Sequence, residues 1–128
     1  MSKAELLART KIFNLRILKL ADHLPRTMSG RVIGNQLVRC GTSVGANYRA
    51  ACRSRSRAEF AAKLGIVAEE ADETVYWLEL LRDANLLSKE KLSELLREAN
   101  ELTAIFTAGR RSSSRNQTSN LKPQTSFS

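Results

Sequence analysis

The sequence predicts an all-α fold: an antiparallel, up-and-down four-helix bundle that ends in a disordered polar tail. Three observations predict it. Four segments carry apolar residues at alternating steps of three and four, which lines up one face of a helix. Short links separate those segments, and short links between long helices make sequential neighbours antiparallel. The 128 residues are 42% hydrophobic but only 5% aromatic, a mix that suits a helical core better than a sandwich or barrel.

The first helix is expected at about 4–24, with Leu6, Thr10, Phe13, Ile17, Leu20 and Leu24 on its seam. Pro25 ends it, because the residue before a proline is pushed out of helical geometry. The second, at about 30–53, turns Ile33, Leu37, Cys40, Val44, Asn47 and Ala51 inward, Asn47 to set register or bond a neighbouring helix. Gly34, Gly41 and Gly45 each cost about 1 kcal/mol relative to alanine there. Either a neighbour approaches closely or the helix breaks around Gly41.

The third helix, at about 57–84, opens on Ser56-Arg57-Ala58-Glu59, a capping-box pattern. Phe60, Leu64, Val67, Ala71, Thr74, Leu78 and Leu81 then repeat with a period near 3.5. Asn85 is placed to cap its end and Ser88 to start the fourth helix, at about 89–108. Leu92, Leu95, Leu96, Ala99, Leu102 and Phe106 form that helix's buried face. Residues 1–109 make one bundle domain. The basic, Ser/Thr/Asn/Gln-rich segment 110–128 has too few apolar residues to offset its ordering entropy.

Charge is divided along the chain. Residues 1–57 hold twelve Lys/Arg against two acids, and residues 58–109 hold five against eleven. Two functions fit this division. On the second helix Arg31, Asn35, Arg39, Thr42, Ala46, Arg49 and Arg53 lie opposite the seam. On the first, Arg9, Arg16, Lys19 and His23 make another basic stripe. Such stripes bind the phosphates of RNA or DNA in a salt-dependent way. Arg9, Arg16, Lys19, Arg31, Arg39, Arg49 and Arg53 are the candidate contacts.

The second reading is assembly. A monomeric bundle shows solvent a polar back, yet the back of the third helix carries Ala62, Ile66, Glu69, Glu73, Tyr76 and Leu80, with Trp77 at its edge. Ile66, Glu69, Glu73, Tyr76, Trp77 and Leu80 are candidate oligomer contacts, facing Arg39 and Arg49 of another copy. Unlike surfaces meeting head to tail close into a ring when the rotation allows. The charged faces would then serve only assembly or a protein partner.

Several chemistries find no support. Glu69, Glu70, Asp72 and Glu73 resemble carboxylate metal sites only superficially, since those need inward glutamates from several helices and Glu-x-x-His pairs. Cys40 and Cys52, twelve residues apart on one helix, are separated by about 18 Å of rise and cannot pair within it. Cys40 reads as a core residue. No phosphate loop, nucleophile elbow or Cys/His arrangement is present, so no catalytic residue, metal or cofactor is assigned. Apolar stretches fall far short of the roughly 20 residues of a membrane span. The start lacks a signal peptide's apolar block, so the expected location is cytoplasmic.

The run Gln36-Leu37-Val38-Arg39-Cys40, then Ser43-Val44-Gly45-Ala46-Asn47-Tyr48-Arg49, resembles the bacterial four helix bundle protein family. So do Ala58-Glu59-Phe60, Lys63-Leu64, Ala68-Glu69-Glu70-Ala71-Asp72-Glu73-Thr74 and Tyr76-Trp77-Leu78. The family's other name comes from members encoded in intervening sequences of large-subunit ribosomal RNA genes. It is related to the accessory variability determinant protein of diversity-generating retroelements. The resemblance implies an up-and-down bundle assembled as a pentameric ring. In the retroelement relative, a basic surface is associated with nucleic acid and reverse-transcriptase binding. Many members carry a Glu-Gly pair after the motif asparagine where this chain has Ala50-Ala51.

Overall fold

Three of the four helices begin where a hydroxyl can take up a free amide. The computed structural model describes the backbone of residues 1–125 and the side chains of residues 1–114. Helix α1 is Lys3–Ala21, and Ser2 and Glu5 close a reciprocal capping box at 3.1 and 3.3 Å. Helix α2 is Met28–Ala51, capped by the Thr27 hydroxyl on the Gly30 amide. Helix α3 is Arg57–Asp83; Ser56 accepts from the Glu59 amide as expected, while the Glu59 carboxylate reaches back to the Arg55 amide. Helix α4 is Lys89–Thr125, its first turn bonded to the Ser88 carbonyl.

The exit from α3 has a specific geometry. Asn85 adopts φ 57°, its N–H donates to the Arg82 carbonyl, and the Leu86 N–H donates to the Leu81 carbonyl. That is the Schellman arrangement, which suits asparagine in the left-handed region. Helix α1 starts one residue earlier and ends three residues sooner than expected, at Ala21, while α2 is shifted two residues towards the N-terminus at both ends because Thr27 caps it early.

Sequential helices pack side by side and α4 returns to α1, whose backbones meet only sparsely. Phe13, Ile17, Leu37, Cys40, Val44, Val67, Leu78, Leu81, Leu102 and Phe106 are fully enclosed. Two hydroxyls share that core and are satisfied locally: Thr10 donates to the Leu6 carbonyl at 2.9 Å and Thr74 to the Glu70 carbonyl at 2.8 Å. Tyr48, not Asn47, fills the last inward turn of α2, its ring 5.2 Å from that of Phe106. Asn47 is half-buried and donates to the Ser43 carbonyl of its own helix. Aromatic contact outweighs the amide for that slot.

The glycines of α2 mark a close approach, and α2 runs unbroken through Gly41. A Cβ on Gly41 would stand 2.8 Å from Ile17 Cγ2, one on Gly34 3.2 Å from Leu24, and one on Gly45 would strike the Asn14 amide. At the far end, α4 does not stop at 108. No helix-forbidding residue stands between Gly109 and Pro123, Gly109 rests on Leu64, and Arg110 lies across Gly65. The domain boundary expected at 109 therefore falls inside α4. From residue 115 the side chains of the tail expected to be disordered lie outside those described.

The glycine geometry predicts a sign. Helix propensity alone makes Gly41→Ala stabilising by about 1 kcal/mol, whereas overpacking a rigid β-branched neighbour costs about 1–3 kcal/mol. Urea unfolding should give a net loss of stability for Gly41→Ala.

Candidate nucleic-acid and assembly surfaces

Not every exposed arginine is available to a partner, because several face carboxylates on the next helix. Arg9 sits on the α1–α4 seam. Its Nε donates to Glu98 Oε2 at 2.7 Å, and its Nη2 donates to Glu98 Oε1 at 2.6 Å and Glu101 Oε1 at 3.0 Å. This is a fork-on-fork pair, and the bonds to Glu98 push the guanidinium pKa still higher. Arg16, about two turns further along α1, stands 3.7 Å from Glu94 on the same seam. These side chains span the gap that the sparse backbone contact leaves.

Arg39 is likewise engaged within the chain. It extends from α2 to α3, where it pairs with Glu73 and lies 3.6 Å from Glu70. Gln36 accepts two further bonds from its guanidinium, and Trp77 Nε1 donates to Glu73 at 3.1 Å. The Arg39–Glu73 attraction expected between copies is thus made inside one copy. The reason is geometric: α2 and α3 are antiparallel neighbours, and Arg39 leans from the edge of α2 that faces α3.

Lys19, Arg31, Arg49 and Arg53 have no carboxylate partner among the described residues, and they divide among three clefts. Arg49 and Arg53 line a cavity of about 490 Å³ between α1 and α2, with Lys3 and Lys11 on the opposite wall and no acid in the lining. Lys19 shares a cleft of about 400 Å³ between α1 and α4 with Arg16, His23, Lys91 and Glu94. Arg31 borders one of about 340 Å³ with Arg26 and Asp22. Lys3 and Lys11 were not among the sequence candidates. Their spacing of eight puts them on one side of α1, and Gly45 marks which helix approaches it, so a signal existed.

The assembly candidates also separate. Ile66 and Tyr76 are 46% and 54% exposed, and Glu69 is exposed beside them. Trp77 and Leu80 instead pack partly against the core, with Tyr76 edge-on to Trp77 at 5.1 Å. A second apolar stripe lies on α1, where Ile12, Leu15 and Leu18 are 57%, 58% and 42% exposed. Their steps of three, opposite the seam, were legible in the sequence. Helices α1 and α3 are diagonal in the bundle, so the two stripes point to opposite sides.

Among the described residues no His, Cys, Asp and Glu cluster could hold a metal ion, and no helix is long and apolar enough to cross a membrane. Fold and surface together define an up-and-down four-helix bundle protein whose charged faces are partly spent on its own helices. The chain belongs to the 23S rRNA-intervening sequence protein family, whose model matches residues 2–108. It is similar to a solved structure from Bacteroides thetaiotaomicron VPI-5482, described as a protein with unknown function from the S23 ribosomal protein family. The two share 34% identity and superpose with a TM-score of 0.74, over 80% of this chain and 94% of that one. No curated protein matches the sequence.

The Arg9 fork carries a testable load. Glu98→Gln should destabilise the bundle by about 1–2 kcal/mol at low salt, between the values for exposed ion pairs and charge-assisted hydrogen bonds. The difference from wild type in urea unfolding should shrink as salt rises.

Proposed function

We propose that this protein is a non-catalytic, self-associating bundle that binds nucleic acid electrostatically through the basic side formed by α1 and α2. One observation carries the reading: after the chain's own ion pairs are formed, the α1–α2 groove is ringed by Lys3, Lys11, Arg49 and Arg53 without a carboxylate in its lining. Uncompensated cations on one side attract a polyanion and release its counterions. Among the described residues there is no base-reading helix or stacking platform, so contact is to phosphates.

Self-association is supported by the two apolar stripes. Ile12, Leu15 and Leu18 are flanked on α1 by Lys11 and Lys19, while Ile66 and Tyr76 are flanked on α3 by Glu69 and Asp72. Complementary stripes on opposite sides of one molecule favour a head-to-tail contact, which closes into a ring when the rotation permits. A protein-interaction module is the second reading, favoured by the Ile12–Leu15–Leu18 stripe, which a different protein could cover.

Fluorescence anisotropy with labelled single-stranded RNA and duplex DNA tests the first part. Affinity should fall linearly with salt on a log–log plot, with a slope of about −3 for four phosphate contacts. No binding at about 50 mM salt, where phosphate contacts are strongest, would refute it. Sedimentation velocity tests the second: Leu15→Asp and Ile66→Asp should each convert an oligomer to monomer. A monomeric wild type that still exposes both stripes would favour the protein-interaction reading.

A further inference from the structure

We infer that the α1–α2 groove is a discrete seat for consecutive phosphates of one nucleic-acid strand, rather than one patch of a diffuse basic face. The inference rests on the nucleic-acid reading and narrows it to a place. Lys3 and Lys11 stand on the α1 wall, Arg49 and Arg53 on the α2 wall, and Leu7 and Cys52 lie between them. Eight residues of α1 rise about 12 Å and four residues of α2 about 6 Å. At about 3.4 Å of axial rise per phosphate along one strand of a duplex, the roughly 12 Å along α1 covers about four phosphates, one for each cation.

The groove is built, not incidental. Asn14 Nδ2 donates to the Thr42 carbonyl at 3.1 Å, tying α1 to α2. Beside that tie Gly45 offers no side chain and Ala46 only a methyl group, so the α2 wall stays low and the basic side chains stand above it. The acid nearest in sequence to Lys3 is Glu5, two residues on and so about 200° around the helix, where it caps Ser2. The other two clefts that hold sequence candidates each include an acid, Glu94 in one and Asp22 in the other. A phosphate entering them meets repulsion as well as attraction. The apolar strip of Leu7 and Cys52 gives a sugar face a surface to lie on.

Cys52 also makes the groove observable. Cys40 is fully enclosed, and burial pushes its thiol pKa up, whereas Cys52 is half-buried in the groove wall. In the folded full-length protein, iodoacetamide therefore reports on Cys52. Saturating single-stranded RNA should slow its alkylation, and an unchanged rate while anisotropy still registers binding would overturn the seat.

Arg49→Gln with Arg53→Gln should lower the salt slope by about 2, while Arg26→Gln with Arg31→Gln should leave it unchanged. All four side chains are exposed, so neither pair disturbs the core. Equal losses from both pairs would overturn the seat and leave the nucleic-acid reading standing. Should the wild type bind no oligonucleotide, that reading fails. Tripolyphosphate then decides the groove: protection of Cys52 supports a seat for a free phosphate chain, and no protection overturns it.

Discussion

The close approach of α1 to α2 is the constraint on which the rest of the molecule depends. It exists because Gly34, Gly41 and Gly45 carry no side chains where Leu24, Ile17 and Asn14 come in. Each glycine weakens α2 as an isolated helix by about 1 kcal/mol, and packing against α1 has to offset that. Once α1 is drawn towards α2, its distance to α4 follows, and long polar side chains are needed to bridge it. The Asn14–Thr42 bond and the basic groove beside it are products of the same approach.

Charge in this protein does two separate jobs. Part of the basic N-terminal half is matched, residue against residue, by the acidic second half: Arg9 with Glu98 and Glu101, Arg16 with Glu94, Arg39 with Glu70 and Glu73. These pairs are worth modest energies individually when exposed. Their larger effect is orientation, since a guanidinium fork accepts carboxylates from a narrow range of directions. The remainder stays solvated. A formal net charge of +8 therefore overstates what any one surface displays, and its distribution matters more than its size.

Much of the architecture was readable because burial follows a period. The seams of α1 and α3 needed only the 3.6-residue repeat, Ser56 and Asn85 announced the ends of α3, and the α2 glycines announced a near neighbour. The exchange of Asn47 for Tyr48 was not readable, since adjacent residues differ by 100° and the ring of Phe106 decides between them. The partner of Arg39 was hidden for another reason: a helical wheel gives the direction of a side chain but not which helix, or which copy, stands there. Lys3 and Lys11 join Arg49 and Arg53 only when the side of α1 that α2 occupies is known. On the back of α1, Ile12, Leu15 and Leu18 are interleaved with Lys11 and Lys19, and the charges mask the apolar stripe in the sequence.

The α1–α4 seam is clasped unevenly. At one end the Arg9 fork holds two glutamates; at the other, Arg16, Lys19, His23 and Lys91 crowd around Glu94 alone. Sliding α4 by one heptad would set Lys91 against Arg9, so like-charge repulsion adds a modest penalty to the shifted register. The same crowding makes the Lys91 end the looser one, and local opening starts where cohesion is weakest. The bundle thus resembles a book with its clasp near one corner: when it breathes, the cover lifts from the opposite corner first.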